Sequence, residues 1–260
     1  MKIALGIEYD GRGFHGWQLQ EQGTRTVQGA VEAALSKVAA HPLRVVCAGR
    51  TDAGVHAVGQ VIHIETEARR EPRNWLLGAN ANLPDDVNVA WVHPVAEDFH
   101  ARFSATGRAY RYLILNRQAR SSLLAGRATW VHRPLDAARM HLAGQALLGT
   151  HDFSSYRALG CQAKSPVRTL RRLEVERRGD LVALTVGADA FLHHMVRNIA
   201  GVLIAIGKGE RPECWAADVL ALRDRTLGGV TAPPDGLYFV RVDYPERFGI
   251  PRPDPSVVGW

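Results

Sequence analysis

Cysteine is scarce in this chain of 260 residues: Cys47, Cys161 and Cys214 are odd in number and far apart. No C-x-x-C pair is present. That argues against a zinc site and a disulfide framework, and fits a reducing compartment. Lysine is scarce as well. Arginine makes up most of the 32 basic residues, and a guanidinium suits two-pronged contact with phosphate. No segment reaches the roughly 18 uninterrupted apolar residues of a transmembrane helix. The opening Met1-Lys2-Ile3-Ala4-Leu5-Gly6, followed by Glu8 and Asp10, lacks the apolar core of a signal peptide. A cytoplasmic location without a membrane partner is expected.

What is present is globular. Hydrophobic residues make up 46% and charged residues 22%, ordinary values for a packed domain. The length suits one large domain or two small ones. The 32 basic residues against 26 acids give a net charge of +6. A basic balance suits an anionic partner such as nucleic acid, although a merely soluble basic protein has the same balance.

Along the chain, Ile3, Leu5, Ile7 and Tyr9 alternate and predict a strand. The stretch Gly11 to Gly16 then matches G-x-G-x-x-G. A dinucleotide site needs a helix opening inside that motif. Here the helical spacing of Val27, Ala30, Val31, Ala34, Leu35 and Val38 begins only near Thr26, so a nucleotide-dependent enzyme is the weaker reading. Leu43 to Cys47 and Gln60 to Thr66 read as strands, Pro72 opens a second helix, and Val87 to Val92 is a fourth strand. The order is β-α-β-β-α-β, a ferredoxin-like unit. It recurs with strands at Tyr110 to Leu115, Leu170 to Arg177, Leu181 to Val186 and Leu237 to Val242. The helices of this half are Asp136 to Leu148 and Phe191 to Ile206, with an inserted helix at Ala216 to Leu222. The fold class is therefore α+β: two ferredoxin-like subdomains, residues 1–104 and 105–245. A tail, residues 246–260, carries Pro251, Pro253 and Pro255, and proline cannot hold regular structure there.

The stretch Cys47 to His56 joins two strands and places Asp52 at its tip, two residues after Arg50. A carboxylate beside a guanidinium stays ionised. On residue types alone the loop is either a presented carboxylate or an Asx turn that caps its own backbone. His193 and His194 are adjacent on an expected helix, about 100° apart, with no Glu or Cys at ligand spacing, so no metal is expected. His56 and His63 have no partner that the sequence identifies. The arginines at 168, 171, 172, 177 and 178 either track phosphates or decorate a solvated strand face.

Ala48-Gly49-Arg50-Thr51-Asp52-Ala53-Gly54-Val55-His56 resembles the active-site loop of the tRNA pseudouridine synthase A family. The resemblance extends to Tyr9-Asp10-Gly11 with Phe14-His15-Gly16-Trp17-Gln18, and to Ser104-Ala105-Thr106 before Tyr110-Arg111-Tyr112. It continues through His151-Asp152-Phe153, Phe191-Leu192-His193-His194-Met195-Val196-Arg197-Asn198 and Gly236-Leu237-Tyr238. It runs in order from residue 1 to about residue 245.

The resemblance implies an isomerase that turns uridine into pseudouridine at positions 38 to 40 of the tRNA anticodon stem-loop. It implies a homodimer, and two sheets joined across an RNA-binding cleft bordered by the Gly11 loop. Asp52 is implied as the catalytic carboxylate, acting as nucleophile or as base toward a ribose proton. Arg197 is implied as its basic partner, with Arg50 the second candidate cation. Tyr110 is implied to contact the target base after it leaves the stack, and Leu237 to line the uracil pocket. Without the resemblance, Arg197 reads as a surface arginine, Tyr110 as a core tyrosine and Leu237 as core packing. No cofactor is expected, because nothing is oxidised or hydrolysed overall. A non-catalytic RNA-binding module is the rival reading.

Overall fold

The computed structural model describes residues 1–20 and 23–253. The chain forms two compact units. One comprises Met1–Thr106 together with the residues from Tyr238 onward, and the other is Gly107–Leu237. Strands and helices are mixed, and most strand pairs within the units are antiparallel, so the fold is α+β.

The first unit is built on β1 (Lys2–Tyr9), β2 (Val46–Cys47), β3 (His56–Glu65) and β4 (Val87–Pro94). Its helices are α1 (Val27–Ala39) and α2 (Pro72–Asn80). Strand β1 lies between β3 and β4, antiparallel to both, and β2 pairs antiparallel with β3. Ile3, Leu5 and Ile7 are fully buried, as their alternation predicts. Ala4 is fully buried as well, and the indole of Trp91 occupies the space that a Cβ on Gly6 would need. Both faces of β1 are therefore covered. Helix α1 starts where expected: the Thr26 hydroxyl accepts the Gly29 N–H, the usual N-terminal cap. It buries Val27, Val31, Ala34 and Leu35.

Strand β2 is shorter than the expected Leu43 to Cys47. The Leu43 N–H donates to the Ser36 hydroxyl at 2.9 Å and the Val45 N–H to the Glu32 carboxylate at 3.1 Å. Helix α1 thus takes the donors that a longer ladder would use. Strand β3 begins at His56, four residues before the expected Gln60. Gly59 lies inside it with its Cα against the Val240 carbonyl, a close approach that only glycine allows.

The second unit contains β5 (Gly107–Asn116), β6 (Thr129–Val131), β7 (Gly149–Asp152), β8 (Val167–Arg178) and β9 (Leu181–Ala188). Antiparallel pairs link β5 to β9, β9 to β8 and β8 to β7, while β6 pairs parallel with β5. Strands β6 and β7 were not expected from the sequence; at three and four residues they are too short to show a period. The helices are α3 (Ala137–Gln145), α4 (Met195–Gly207) and α5 (Trp215–Leu222). Helix α3 ends three residues before the expected Leu148. Its last turn tightens through Leu147 N–H to Gly144 and Leu148 N–H to Gln145, and Gly149 follows at φ +101°.

Helix α4 begins at Met195, where Phe191 was expected. His194 is left-handed at φ 61°, a conformation that cannot lie inside a right-handed helix. Upstream, the Asp189 carboxylate accepts the Ala190 and Thr169 N–H groups, which holds that stretch in a turn. The tail also departs from expectation. Glu246–Phe248 form a 3-10 turn, and Phe248 is buried against Phe99. Pro251 and Pro253 lie in irregular chain, and Pro255 lies outside the described residues. The last strand, β10 (Leu237–Asp243), pairs parallel with β3 through Tyr238 opposite His56 and Phe239 opposite Ala57.

Candidate active site

In the first unit, Arg50 and Asp52 sit on the loop that leaves β2 and enters β3. Arg50 is exposed and Asp52 half-buried, whereas Thr51 and Val55 on either side of the carboxylate are buried. The loop is fixed at several points. The Thr51 carbonyl accepts the Trp17 N–H at 3.0 Å, and its hydroxyl hydrogen-bonds that of Tyr9 at 2.8 Å. The Gly54 N–H donates to the Phe14 carbonyl, the Val55 N–H closes a turn on the Asp52 carbonyl, and the Gln60 amide donates to the Gly49 carbonyl at 2.6 Å. A carboxylate on such a frame is held in place with little freedom left to lose.

The glycines before it now have a reason. Gly11 lies so close to the Val55 carbonyl that a Cβ would overlap it, and a Cβ on Gly16, at φ +90°, would come within 2.7 Å of the Thr51 carbonyl oxygen. Gly11–Gly13 form a 3-10 turn capped by the Asp10 carboxylate, which accepts the Arg12 N–H. No α-helix opens there, and Gly11 and Gly16 instead lie against the backbone of the Asp52 loop. The nucleotide reading of the motif has no structural basis.

His56, for which the sequence named no partner, has several. It is buried, its Nδ1 accepts the Gly11 N–H at 3.1 Å, and its ring stacks on Tyr238 at 4.6 Å. Asp10 lies 3.3 Å from the same nitrogen. Burial would raise the Asp10 carboxyl, but its bonds with Arg12 and the nearby His56 outweigh this and hold it at about 2. The Cys47 thiol, at the start of the loop, is pushed up to about 11 by burial, against the opposing pull of Arg50 and Arg102. It is no nucleophile at neutral pH.

In the second unit Arg197 and Leu237 meet one segment, Ala232–Gly236, and Tyr110 lies on β5, the strand that bonds this segment through Tyr112 and Leu113. Arg197 lies in the first turn of α4. Its Nε donates to the Ala232 carbonyl at 2.8 Å, and the Ala232 N–H donates back to the Arg197 carbonyl at 3.1 Å. At the next residue, the Pro233 carbonyl accepts the Tyr112 hydroxyl at 2.8 Å; the Gly236 carbonyl accepts the Leu113 N–H at 2.8 Å. Leu237 is buried at the end of that segment. Tyr110 and Tyr112 share a face of β5, and both are buried. Burial raises the Tyr112 phenol, which also bonds Thr129, so it is a structural anchor. The Tyr110 ring meets the edge of Phe191 at 5.0 Å. Phe191 and the Ala232–Gly236 segment carried no chemical signal in the sequence beyond the motif around them.

Much of the arginine cluster on β8 is engaged locally. Arg172 pairs with Glu174 at 2.6 Å, Arg177 bonds the Asn116 side chain and the Leu135 carbonyl, and Arg168 bonds the carbonyls of Ser165 and Val167. That pattern fits a decorated strand face.

A family model described as tRNA pseudouridine synthase matches residues 6–104 and 143–245. A protein of Nitrosococcus oceani called tRNA pseudouridine synthase A is 58% identical over 260 residues, covering 100% of both chains. Proteins with the same description from Alcanivorax borkumensis and Pseudomonas aeruginosa are each 57% identical over 96% of this chain, covering 94% and 88% of their own lengths. Among solved structures, a chain of a Cbf5-Nop10-Gar1 complex matches at 13% identity and a TM-score of 0.38, over 91% of this chain and 48% of that one; that likeness is too slight to carry weight.

Proposed function

The chain belongs to the tRNA pseudouridine synthase family, and on that footing we propose that it converts uridines 38 to 40 of the tRNA anticodon stem-loop to pseudouridine. It is an isomerase, as pseudouridine synthases are. The reaction breaks the C1′–N1 glycosidic bond, turns the uracil and joins C1′ to C5. The C5 proton leaves and N1 gains one, so no oxidant, water or cofactor is consumed.

Asp52 is the carboxylate that starts the reaction, as nucleophile at C1′ or as base toward a ribose proton. Arg197 is its cationic counterpart and Arg50 the second cation. Tyr110 meets the turned-out base, and Leu237 lines the uracil pocket. The observation that carries this reading is the frame around residue 52: hydrogen bonds at residues 49, 51 and 54 hold the loop and leave its carboxylate partly exposed. A structural turn does not need its neighbours clamped from β1, the glycine loop and β3 at once.

The reading extends to architecture and assembly. Both halves are ferredoxin-like subdomains, as the order β1-α1-β2-β3-α2-β4 and the central position of β1 between β4 and β3 support for the first. By order of elements along the chain the proposed subdomains are residues 1–104 and 105–245, although Tyr238 onward packs with the first compact unit, and the protein acts as a homodimer in the cytoplasm. Among the described residues no helix is long and apolar enough to cross a membrane. The test is incubation with unmodified tRNA transcripts followed by chemical mapping of pseudouridine. Product at positions 38 to 40 is expected. Product confined to another part of the tRNA would overturn the anticodon assignment, and no product would overturn the enzyme reading.

A further inference from the structure

The turn from Phe99 to Ser104 in the first unit is built more firmly than its exposure requires. Phe99 is fully buried and packs on Tyr244 and Phe248. The Ala101 N–H donates to Nδ1 of buried His63 at 3.1 Å, and the Ala101 carbonyl accepts the Tyr244 hydroxyl at 2.6 Å. From these anchors the chain turns outward around His100. The His100 Nδ1 accepts the N–H groups of Arg102 and Phe103, at 3.2 and 3.1 Å. The His100 N–H donates to the Ser104 hydroxyl, and the Ser104 N–H returns to the His100 carbonyl. The His100 ring stands against His63 at 4.9 Å, and the Phe103 ring lies stacked on it at 4.4 Å and 28°. Phe103 nevertheless remains 77% exposed.

An exposed phenylalanine on its own needs no explanation. This one is different, because its ring orientation is already fixed and its surroundings are cationic. The Arg102 guanidinium lies 5.6 Å from its centroid. Arg102 and Arg50 both act electrostatically on the Cys47 thiol, so both guanidinium groups are near the start of the Asp52 loop. Burial and nearby Lys2 lower the pKa of His100, which disfavours a charge on the ring beneath Phe103. A rigid aromatic surface beside arginines is the chemistry that takes up an unpaired nucleotide: the ring stacks on the base, and the guanidinium meets phosphate.

We propose that Phe103, held by His100, is a stacking platform for an unpaired base of the tRNA substrate, with Arg102 contacting the adjoining phosphate. The inference rests on the tRNA-modifying function. Its test compares the full-length protein with Phe103→Ala, Phe103→Tyr and Arg102→Gln. Three quantities are measured: affinity for an unmodified tRNA transcript across a salt series, pseudouridine formation, and sedimentation without RNA. Phe103→Ala is expected to weaken binding about 5- to 150-fold and leave the salt slope unchanged, since no ion pair is removed. Phe103→Tyr keeps the affinity. Arg102→Gln lowers the salt slope by about one. If the wild type makes pseudouridine and Phe103→Ala binds as tightly, the platform is wrong and the function stands. If the wild type makes none, the premise itself fails. If Phe103→Ala loses affinity only as its sedimentation falls to a smaller species, Phe103 is a protein–protein contact and the proposal is overturned.

Discussion

Gly16 and Thr51 meet backbone to backbone. Gly16 is left-handed at φ +90°, a Cβ there would stand 2.7 Å from the Thr51 carbonyl oxygen, and the neighbouring Trp17 N–H donates to that oxygen. The residue just before Asp52 is thus positioned from a loop 35 residues upstream. Gly16→Ala should force that contact apart. Left-handed strain and the close approach together cost about 1–3 kcal/mol. Urea unfolding should report that loss. Turnover, measured well below the melting temperature, should fall by at least about tenfold, because displacing a reacting group by a fraction of an ångström is expensive. Activity unchanged beside a clear stability loss would uncouple the glycine loop from the site.

Asp52→Asn keeps the size of the side chain and removes its charge; Asp52→Ala removes both. Neither should form detectable pseudouridine. Affinity for tRNA should hold or rise, since a carboxylate facing a polyanion is lost. An Asx turn would behave in the opposite way, with Asn substituting well and Ala costing stability. Turnover, affinity and melting temperature measured on both variants separate the two, and an Asn variant with near wild-type turnover would end the catalytic assignment.

Tyr110 meets the edge of Phe191 and is buried. Tyr110→Phe should keep that contact and most tRNA affinity. Tyr110→Ala should lose about 1–3 kcal/mol of binding if the ring stacks on the base, and about 3 kcal/mol of stability from the cavity. A Phe variant with normal affinity and depressed turnover would assign proton transfer to the hydroxyl. Wild-type turnover in both variants would remove Tyr110 from the site.

Acid should loosen the first unit through His63. Burial and the neighbouring His100 and Lys2 draw His63 down to about 4 from its usual 6.5. Above about pH 6.5 both folded and unfolded states leave it neutral, and the full stability is present. Between pH 6.5 and 4 the unfolded chain takes up a proton that the folded state refuses, so stability falls with pH. The loss reaches about 3 kcal/mol once both forms are protonated. Urea midpoints at pH 7.5 and 4.5 should differ more for the wild type than for His63→Gln, and equal shifts would remove His63 as the source.

Much of the fold was legible because its signals are local. The alternation of Ile3, Leu5 and Ile7, the Thr26 cap and Pro72 at the head of α2 each fix an element from neighbouring residues alone. What stayed hidden depends on residues far apart in sequence. Strand β2 is cut short because Glu32 and Ser36 claim its donors, and α4 starts late because His194 turns left-handed. At the site, the motif around Asp52 was readable, but its frame was not. Tyr9, Phe14, Trp17 and Gln60 each contribute one hydrogen bond from elsewhere. A glycine motif that suggests a nucleotide in one dimension serves in three to let two loops touch.

The first unit is not continuous along the chain: Gly107–Leu237 are inserted before Tyr238 returns to it. Strand β10 pairs with β3 at His56 and Ala57, just past the Asp52 loop, and Tyr238 supplies the ring on which His56 stacks. During synthesis, residues 1–106 therefore leave the ribosome before the strand that supports their most important turn exists. The inserted unit is contiguous, whereas the carboxylate loop acquires its β10 neighbour only after all of Gly107–Leu237 has been made.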